Sequence, residues 1–139
     1  MTLTAGAVAL VGCGGGTLSH GGFVKRADAI CSAYRAGAQP LPKARTYEQV
    51  ASYVDRNLPL YEAALRKLEA LQPPAEDKSQ VKQWLAADRR VAGAVRTLGR
   101  AALNHNFPGV TAATTRLQVA TLESSRAASQ LGLQVCGKL

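Results

Sequence analysis

Residues 46–71, TYEQVASYVDRNLPLYEAALRKLEAL, carry the clearest helical pattern in this 139-residue chain. Thr46 and Gln49 have the spacing of a capping box, in which each side chain bonds the backbone N–H of the other residue. Apolar side chains then recur at helical spacing, at Val50, Val54, Leu58, Tyr61, Leu65, Leu68 and Leu71. Pro59 removes one backbone hydrogen bond, and we expect it to kink this helix rather than end it, because the apolar stripe continues in phase.

Proline and glycine residues separate three further helical segments from this one. A short segment spans about residues 23–36, the next runs from the proline pair at 73–74 to about Asn104, and the last spans about residues 110–131. Gly132 suits a left-handed cap at the end of the last segment. Short connections place successive helices antiparallel, and no strand pattern competes. The sequence therefore predicts an all-α fold, an up-down-up-down four-helix bundle with a short first helix.

The composition fits one small domain with a strong positive charge. Hydrophobic residues make up 47% of the chain, and the formal net charge is +8. Such a charge favours polyanionic partners, which include nucleic acid, lipid headgroups and acidic wall polymers. Because there are only two histidines and one methionine, we expect no metal site, and no motif points to a cofactor.

The first thirteen residues indicate export. Residues 1–12 contain no charged side chain, and an apolar run from Ala5 to Val11 leads to Cys13 and three glycines. This run is too short to cross ~30 Å of hydrocarbon but suits an export signal. Residues 10–13, Leu-Val-Gly-Cys, resemble the bacterial lipobox, which implies that Cys13 is acylated and becomes the mature N-terminus. The alternative is that residues 5–16 form a buried strand or the start of a helix.

These features divide the chain into three parts. We expect residues 1–12 to be a signal peptide, residues 13–22 a flexible tether that carries a solvated His20, and residues 23–139 the helical domain. No Lys or Arg precedes the apolar run, which departs from ordinary export signals, so the true start is expected upstream, the alternative being a genuine short signal. The predicted location is the extracytoplasmic face of a cell membrane, held by the lipid.

Cys31 and Cys136 remain as a pair once Cys13 carries the lipid. In an oxidising compartment such a pair is expected to form a disulfide, the alternative being two separate buried thiols. In the bundle, this bridge requires Cys31 to lie near the end of the last helix, with the two Cα atoms within about 7 Å.

Three short motifs resemble those of small exported actinobacterial lipoproteins. They are Ala-Asp-Ala-Ile-Cys at 27–31, Leu-Gln-Pro-Pro at 71–74, and Leu-Gly-Leu at 131–133 with Cys-Gly at 136–137. The resemblance implies a lipid-anchored helical bundle whose two late cysteines are paired, and it brings no catalytic residue with it.

Two rows of charge run along the predicted helices. The basic row, a candidate anionic-surface site, is Lys82, Arg89, Arg96 and Arg100, and the acidic row is Glu48, Asp55, Glu62 and Glu69. A turn near residue 75 would set Glu69 level with Lys82, Glu62 with Arg89 and Asp55 with Arg96. Because the basic row points away from the core, we expect partial pairing at most. The alternative reading of the basic row is a solvated face without a ligand.

The function predicted from these patterns is binding or scaffolding at the cell envelope, without catalysis. The expected partners are the membrane through the anchor and, through the basic row, anionic lipid or wall polymer. One alternative is an envelope enzyme or accessory factor with a site near His105, in the predicted loop of residues 104–109. Another is a basic cytosolic nucleic-acid binder, which would need reduced cysteines and an unmodified Cys13.

Overall fold

A computed structural model describes residues 16–40, 43 and 46–139 of the chain. The described part contains no strand and consists of four α-helices and two short 3-10 helices. The α-helices are α1 (His20–Gly37), α2 (Tyr47–Glu69), α3 (Lys78–Leu103) and α4 (Phe107–Gln130), and the 3-10 helices are Ala75–Asp77 and Cys136–Lys138. The predicted all-α four-helix bundle is confirmed.

Helix α2 follows its predicted local signals closely. The Gln49 backbone N–H donates to Thr46 Oγ1 at 3.3 Å, and the Thr46 N–H donates to Gln49 Oε1 at the same distance, so the capping box is present. The helix continues through Pro59, as the uninterrupted apolar stripe predicted. It ends at Glu69 instead of Leu71, because the prolines at 73–74 favour extended backbone just ahead of them.

Helix α1 begins earlier than predicted, inside the range expected to be a flexible tether. The Ser19 side chain accepts a hydrogen bond from the Gly22 N–H at 3.2 Å, which caps a helix that starts at His20. The Leu18 N–H also donates to the Gln72 carbonyl at 2.9 Å, so the entry to α1 is bonded to the α2–α3 connection. The prediction was wrong for residues 20–22, since a serine cap outweighs the low helix propensity of two glycines.

Helix α4 also begins earlier than predicted. Asn106 caps it, accepting from the Gly109 N–H at 3.1 Å, and Pro108 lies in the first turn, where no backbone N–H is needed. The predicted loop of residues 104–109 therefore shrinks to a tight connection, in which His105 has a φ of 50°. At the other end of α4, Gly132 has a φ of +79°, as expected of a left-handed cap.

The core lies at the end of the bundle where α1 packs. Phe23, Trp84 and Leu131 are almost fully enclosed there, and the rings of Phe23 and Trp84 meet edge to face at 6.5 Å between centroids. Small side chains, including Ala113, Ala120 and Ala128, form most of the buried face of α4 and allow a close approach to its neighbours.

The C-terminal segment is fastened to α1. Cys31 and Cys136 form a disulfide with 5.3 Å between their Cα atoms, so Cys31 lies near the end of α4, as the bundle required. The Asp28 carboxylate accepts hydrogen bonds from the backbone N–H groups of residues 134–136, at 2.9 to 3.1 Å. The Arg35 guanidinium donates to the carbonyls of Val135 and Lys138, each at 3.3 Å. Side chains of α1 thus provide hydrogen-bond partners for backbone groups of the C-terminal segment, which lies outside any α-helix.

Candidate functional site

A cavity of about 320 Å³ opens between the helices. Side chains of α2, α3 and α4 form most of its wall, while Cys31, Tyr34 and Cys136 close it near the disulfide. The aliphatic part of its lining consists of Leu58, Ala64, Leu65, Leu68, Val91, Val95, Leu117 and Leu139. Its size lies at the lower end of the range of small-molecule pockets, which are largely apolar with a few placed polar groups.

The polar end of this cavity is built around Asp88. Asp88 is only 7% exposed, and its Oδ1 accepts hydrogen bonds from the Tyr61 hydroxyl at 3.1 Å and the Ser124 hydroxyl at 2.5 Å. The second carboxylate oxygen, Oδ2, accepts no hydrogen bond from the described residues. It is also not among the fully enclosed polar atoms that lack a partner. One oxygen of a buried carboxylate that lines the cavity therefore has no hydrogen-bond partner among the described residues.

Burial perturbs the acidity of this group. Desolvation raises the pKa of Asp88 above its ordinary value, although the hydrogen bonds from Ser124 and Tyr61 act in the opposite direction. Among the described residues that line the cavity there is no Lys, Arg or His. A buried carboxylate without a cation partner is costly for the fold, and such groups are concentrated at functional sites.

Three tyrosines surround the same space. Tyr34 from α1 and Tyr53 and Tyr61 from α2 all line the cavity, and the rings of Tyr34 and Tyr61 meet at 5.4 Å in an edge-to-face arrangement. Burial raises the pKa of each of the three phenols above its ordinary value, so all three remain neutral donors at neutral pH. The cavity is therefore lined by aromatic rings, hydroxyl groups and one carboxylate.

Asn57 joins the cavity wall to the chain that leaves α1. Its Oδ1 accepts from the Gln39 N–H at 2.8 Å, and its Nδ2 donates to the Tyr53 carbonyl at 2.9 Å. These bonds fix the backbone beside Tyr53. Sequence patterns gave no indication of this role, because Asn57 lies one residue before the apolar stripe position at Leu58.

The basic row is partly neutralised. Arg89 pairs with Glu69 at 2.7 Å, and Arg96 pairs with Glu62, which agrees with the partial pairing expected. Within the described part of the chain no carboxylate lies within 4 Å of Lys82 or Arg100. These two cations are therefore the free charges of the predicted anionic-surface site.

The observed ion pairs correct the predicted pairing by one seven-residue repeat. Glu69 pairs with Arg89 and not with Lys82, and Glu62 pairs with Arg96 and not with Arg89. Side chains on a helix tilt toward its N-terminus, so partners on antiparallel helices lean in opposite directions along the bundle. Two such side chains therefore meet when each residue lies about one helical turn closer to the C-terminus of its own helix than a pair at the same height would.

The two histidines both have carboxylate partners, and both lie on the surface. His105 Nε2 is 3.1 Å from Glu48 Oε1, with both side chains more than 60% exposed, and its ring packs at 5.0 Å from that of Tyr47. A backbone hydrogen bond and the Thr46 side chain lower the pKa of Glu48, and His105 adds a smaller effect. His105 does not line the cavity described above.

His20 was expected to be a solvated spacer residue, and this was wrong. Its Nδ1 lies 2.7 Å from Asp77 Oδ2, although the histidine side chain is still 54% exposed. The partner is 57 residues away in the chain and comes close only because the start of α1 lies beside the α2–α3 connection. His20 therefore belongs to the folded domain.

The remaining predicted site residue, Cys13, lies outside the described residues. Within the described ranges, no three His, Cys, Asp or Glu side chains come together in a way that could hold a metal ion. None of the described helices combines the length and the apolar character that crossing a bilayer requires.

Comparisons of the chain with protein-family models, with curated proteins and with solved structures find no match.

Proposed function

We propose that this protein is an extracytoplasmic binding protein, anchored by a lipid on Cys13, whose ligand is a small, largely apolar molecule held in the interhelical cavity. The observation that supports the proposed ligand binding is the cavity of about 320 Å³ with Asp88 at its polar end. The lipobox-like residues 10–13 support the proposed lipid anchor and extracytoplasmic location.

One feature of the fold supports the extracytoplasmic location, namely the disulfide between Cys31 and Cys136, which is typical of an oxidising compartment. The described segment before α1 lies beside the α2–α3 connection, where Leu18 bonds to Gln72. An anchor on that side would leave the opposite end of the bundle directed away from the membrane.

The basic row is a weaker candidate than the cavity for the binding role. Its middle members, Arg89 and Arg96, are engaged by carboxylates, which leaves Lys82 and Arg100 separated along α3. Contact with anionic lipid or wall polymer is therefore a secondary proposal. It predicts sedimentation with anionic vesicles that weakens as salt is added.

Binding explains the cavity better than catalysis does. A hydroxyl nucleophile such as Ser124 would need a neighbouring base held by a third group, and the described lining contains no histidine. The exposed pair of His105 and Glu48 provides a base and a carboxylate, but on the surface rather than in a pocket.

If the protein were instead a cytosolic nucleic-acid binder, Cys31 and Cys136 would be expected to be free thiols.

The cavity can be tested by filling it. Thr121 of α4 lines the cavity, whereas Thr111 on the same helix is exposed. Thr121→Phe should abolish binding of two soluble probes, benzyl alcohol and benzylamine, measured by calorimetry and ligand-observed NMR on the full-length chain. Thr111→Phe should leave probe binding unchanged. If neither probe binds the unmodified protein, or Thr121→Phe binds both as well as the unmodified protein does, the cavity is not a ligand site.

The anchor requires a separate experiment on protein from its native membrane. Mass spectrometry should show cleavage before Cys13, the mass of the acyl groups and the loss of two protons for the disulfide. Cys13→Ser should abolish the acyl mass and release the protein from the membrane fraction. Unprocessed chain in the soluble fraction of unmodified cells would contradict the location.

A further inference from the structure

We propose that the cavity selects protonated primary or secondary amines on an apolar body, with the ammonium group donating to Asp88 Oδ2. This inference rests on the proposed function and narrows it, because it states which class of small molecule the cavity takes.

The first argument comes from the carboxylate itself. Asp88 is only 7% exposed, yet only its Oδ1 accepts hydrogen bonds, from the hydroxyls of Tyr61 and Ser124. These two bonds hold Oδ1 and leave Oδ2, on a side chain that lines the cavity, as an acceptor without a hydrogen-bond donor among the described residues. A neutral hydroxyl could also donate to Oδ2, but a cationic donor gives a shorter and stronger bond in such surroundings.

The second argument comes from charge balance. No cation among the described lining residues faces Asp88, so the cavity carries an uncompensated negative charge whenever this carboxylate is ionised. Removing one partner from a buried ion pair is costly, and a bound ammonium group would supply the missing partner. An anionic ligand would instead introduce repulsion with the Asp88 carboxylate.

The third argument comes from the aromatic groups. Tyr34, Tyr53 and Tyr61 present rings to the same cavity, and the negative face of an aromatic ring attracts a cation within about 6 Å of its centre. The aliphatic side chains of Leu58, Val95 and Leu117 complete the wall and suit the apolar part of the ligand. Carboxylate, aromatic rings and aliphatic wall are therefore present in one cavity.

Benzylamine and benzyl alcohol test this selectivity, because they share an apolar body and differ in the polar group. At pH 7 the unmodified full-length protein should bind benzylamine at least about tenfold more tightly than benzyl alcohol. Asp88→Asn keeps an acceptor oxygen for Tyr61 and Ser124 but removes the charge. It should weaken benzylamine binding by about ten- to hundredfold and change benzyl alcohol binding by less than about threefold.

Asp55→Asn is the matched control, since it removes one negative charge from an exposed position of α2. It should leave both affinities unchanged, which separates the local effect of Asp88 from a change in net charge. Equal affinities of the two probes for the unmodified protein would overturn the amine preference and leave the binding cavity in place. Equal losses of benzylamine binding in both variants would also overturn it. Absence of binding by both probes would overturn the cavity function as well.

Discussion

At the scale of single residues, the environment of Asp88 departs from what a carboxylate prefers. It is a carboxylate on the buried side of α3, with two hydroxyl donors and no cation nearby in the described cavity. Carboxylates are almost never fully buried unless they are paired. The fold therefore accepts a cost at this position, which is typical of a site that serves a ligand.

This cost predicts a pH dependence of stability. The folded state raises the pKa of Asp88 above its unfolded value of about 4, so it binds the proton more tightly than the unfolded chain does. The contribution of Asp88 to stability is thus present at low pH and is lost as pH rises through the folded pKa. The other titratable groups of the cavity, Tyr34, Tyr53 and Tyr61, remain neutral throughout because burial raises their pKa values.

Asp88→Asn should accordingly match the unmodified protein in stability near pH 4 and exceed it increasingly above that pH. Urea unfolding followed by the fluorescence of Trp84, the only tryptophan, would measure this. Asp55→Asn, at an exposed position, should not reproduce the trend. A constant difference between Asp88→Asn and the unmodified protein from pH 4 to 8 would contradict the assignment of the burial cost to the charged form.

The sequence contained a signal for Asp88 that the apolar pattern concealed. Asp88 lies seven residues after Val81, four after Trp84 and seven before Val95, so it occupies the inward stripe of α3. A charged residue on such a stripe indicates a buried polar site. Its partners could not be predicted, because Tyr61 lies on α2 and Ser124 on α4, and their approach depends on tertiary packing.

At the scale of helices, the contact between α2 and α3 depends on a glycine. A Cβ atom at Gly99 would lie 2.7 Å from Val54 Cγ1 and 3.2 Å from Val54 Cβ. The branched side chain of valine is stiff and cannot easily move away. The two backbones therefore approach closely at this position because it has no side chain.

Gly93, on the same helix, provides a matched comparison, since no atom lies within 4 Å of a Cβ built there. Gly99→Ala should destabilise the protein by about 1–3 kcal/mol through overpacking. Gly93→Ala should stabilise it by up to about 1 kcal/mol, because alanine has the higher helix propensity. Thermal unfolding of the two variants would measure both effects. A stabilising Gly99→Ala would show that the helices can separate at little cost.

Helix packing also shows where sequence reasoning holds and where it fails. A turn near residue 75 correctly predicts the level of the core contacts, since Tyr61 meets Asp88 and Val54 lies opposite Gly99. The same turn gives the wrong ion pairs, because long side chains reach along the bundle before they meet. Register estimated from backbone positions therefore serves buried contacts better than ion pairs between long surface side chains.

At the scale of the whole molecule, the disulfide is expected to contribute a large share of the stability. It joins residues 105 positions apart, and a loop of that size adds about 4–5 kcal/mol in the chain-entropy model. Replacing Cys31 and Cys136 together by alanine should lower the free energy of unfolding by about 2–5 kcal/mol in urea titrations. Cys13→Ser should leave it unchanged. Equal unfolding midpoints for the double variant and the unmodified protein would contradict this role.

The overall architecture was predictable because each helix carries its own signals. The capping box of α2 and the glycine after α4 are local signals, because each depends on residues only a few positions apart in the chain. The early starts of α1 and α4 were missed, since Ser19 and Asn106 lie among glycine, histidine and proline residues that are typical of loops. The cavity could not be predicted at all, because it depends on how three helices diverge.

The covalent link between α1 and the C-terminal segment also sets how the molecule would respond to mechanical load. A force that pulls Leu18 away from Leu139 would pass along α1 to Cys31 and cross the sulfur atoms to Cys136. Helices α2, α3 and α4 would lie outside that path. A domain tethered near its first helix and pulled from its last residues would therefore extend only slightly, because the disulfide carries the force past the other three helices.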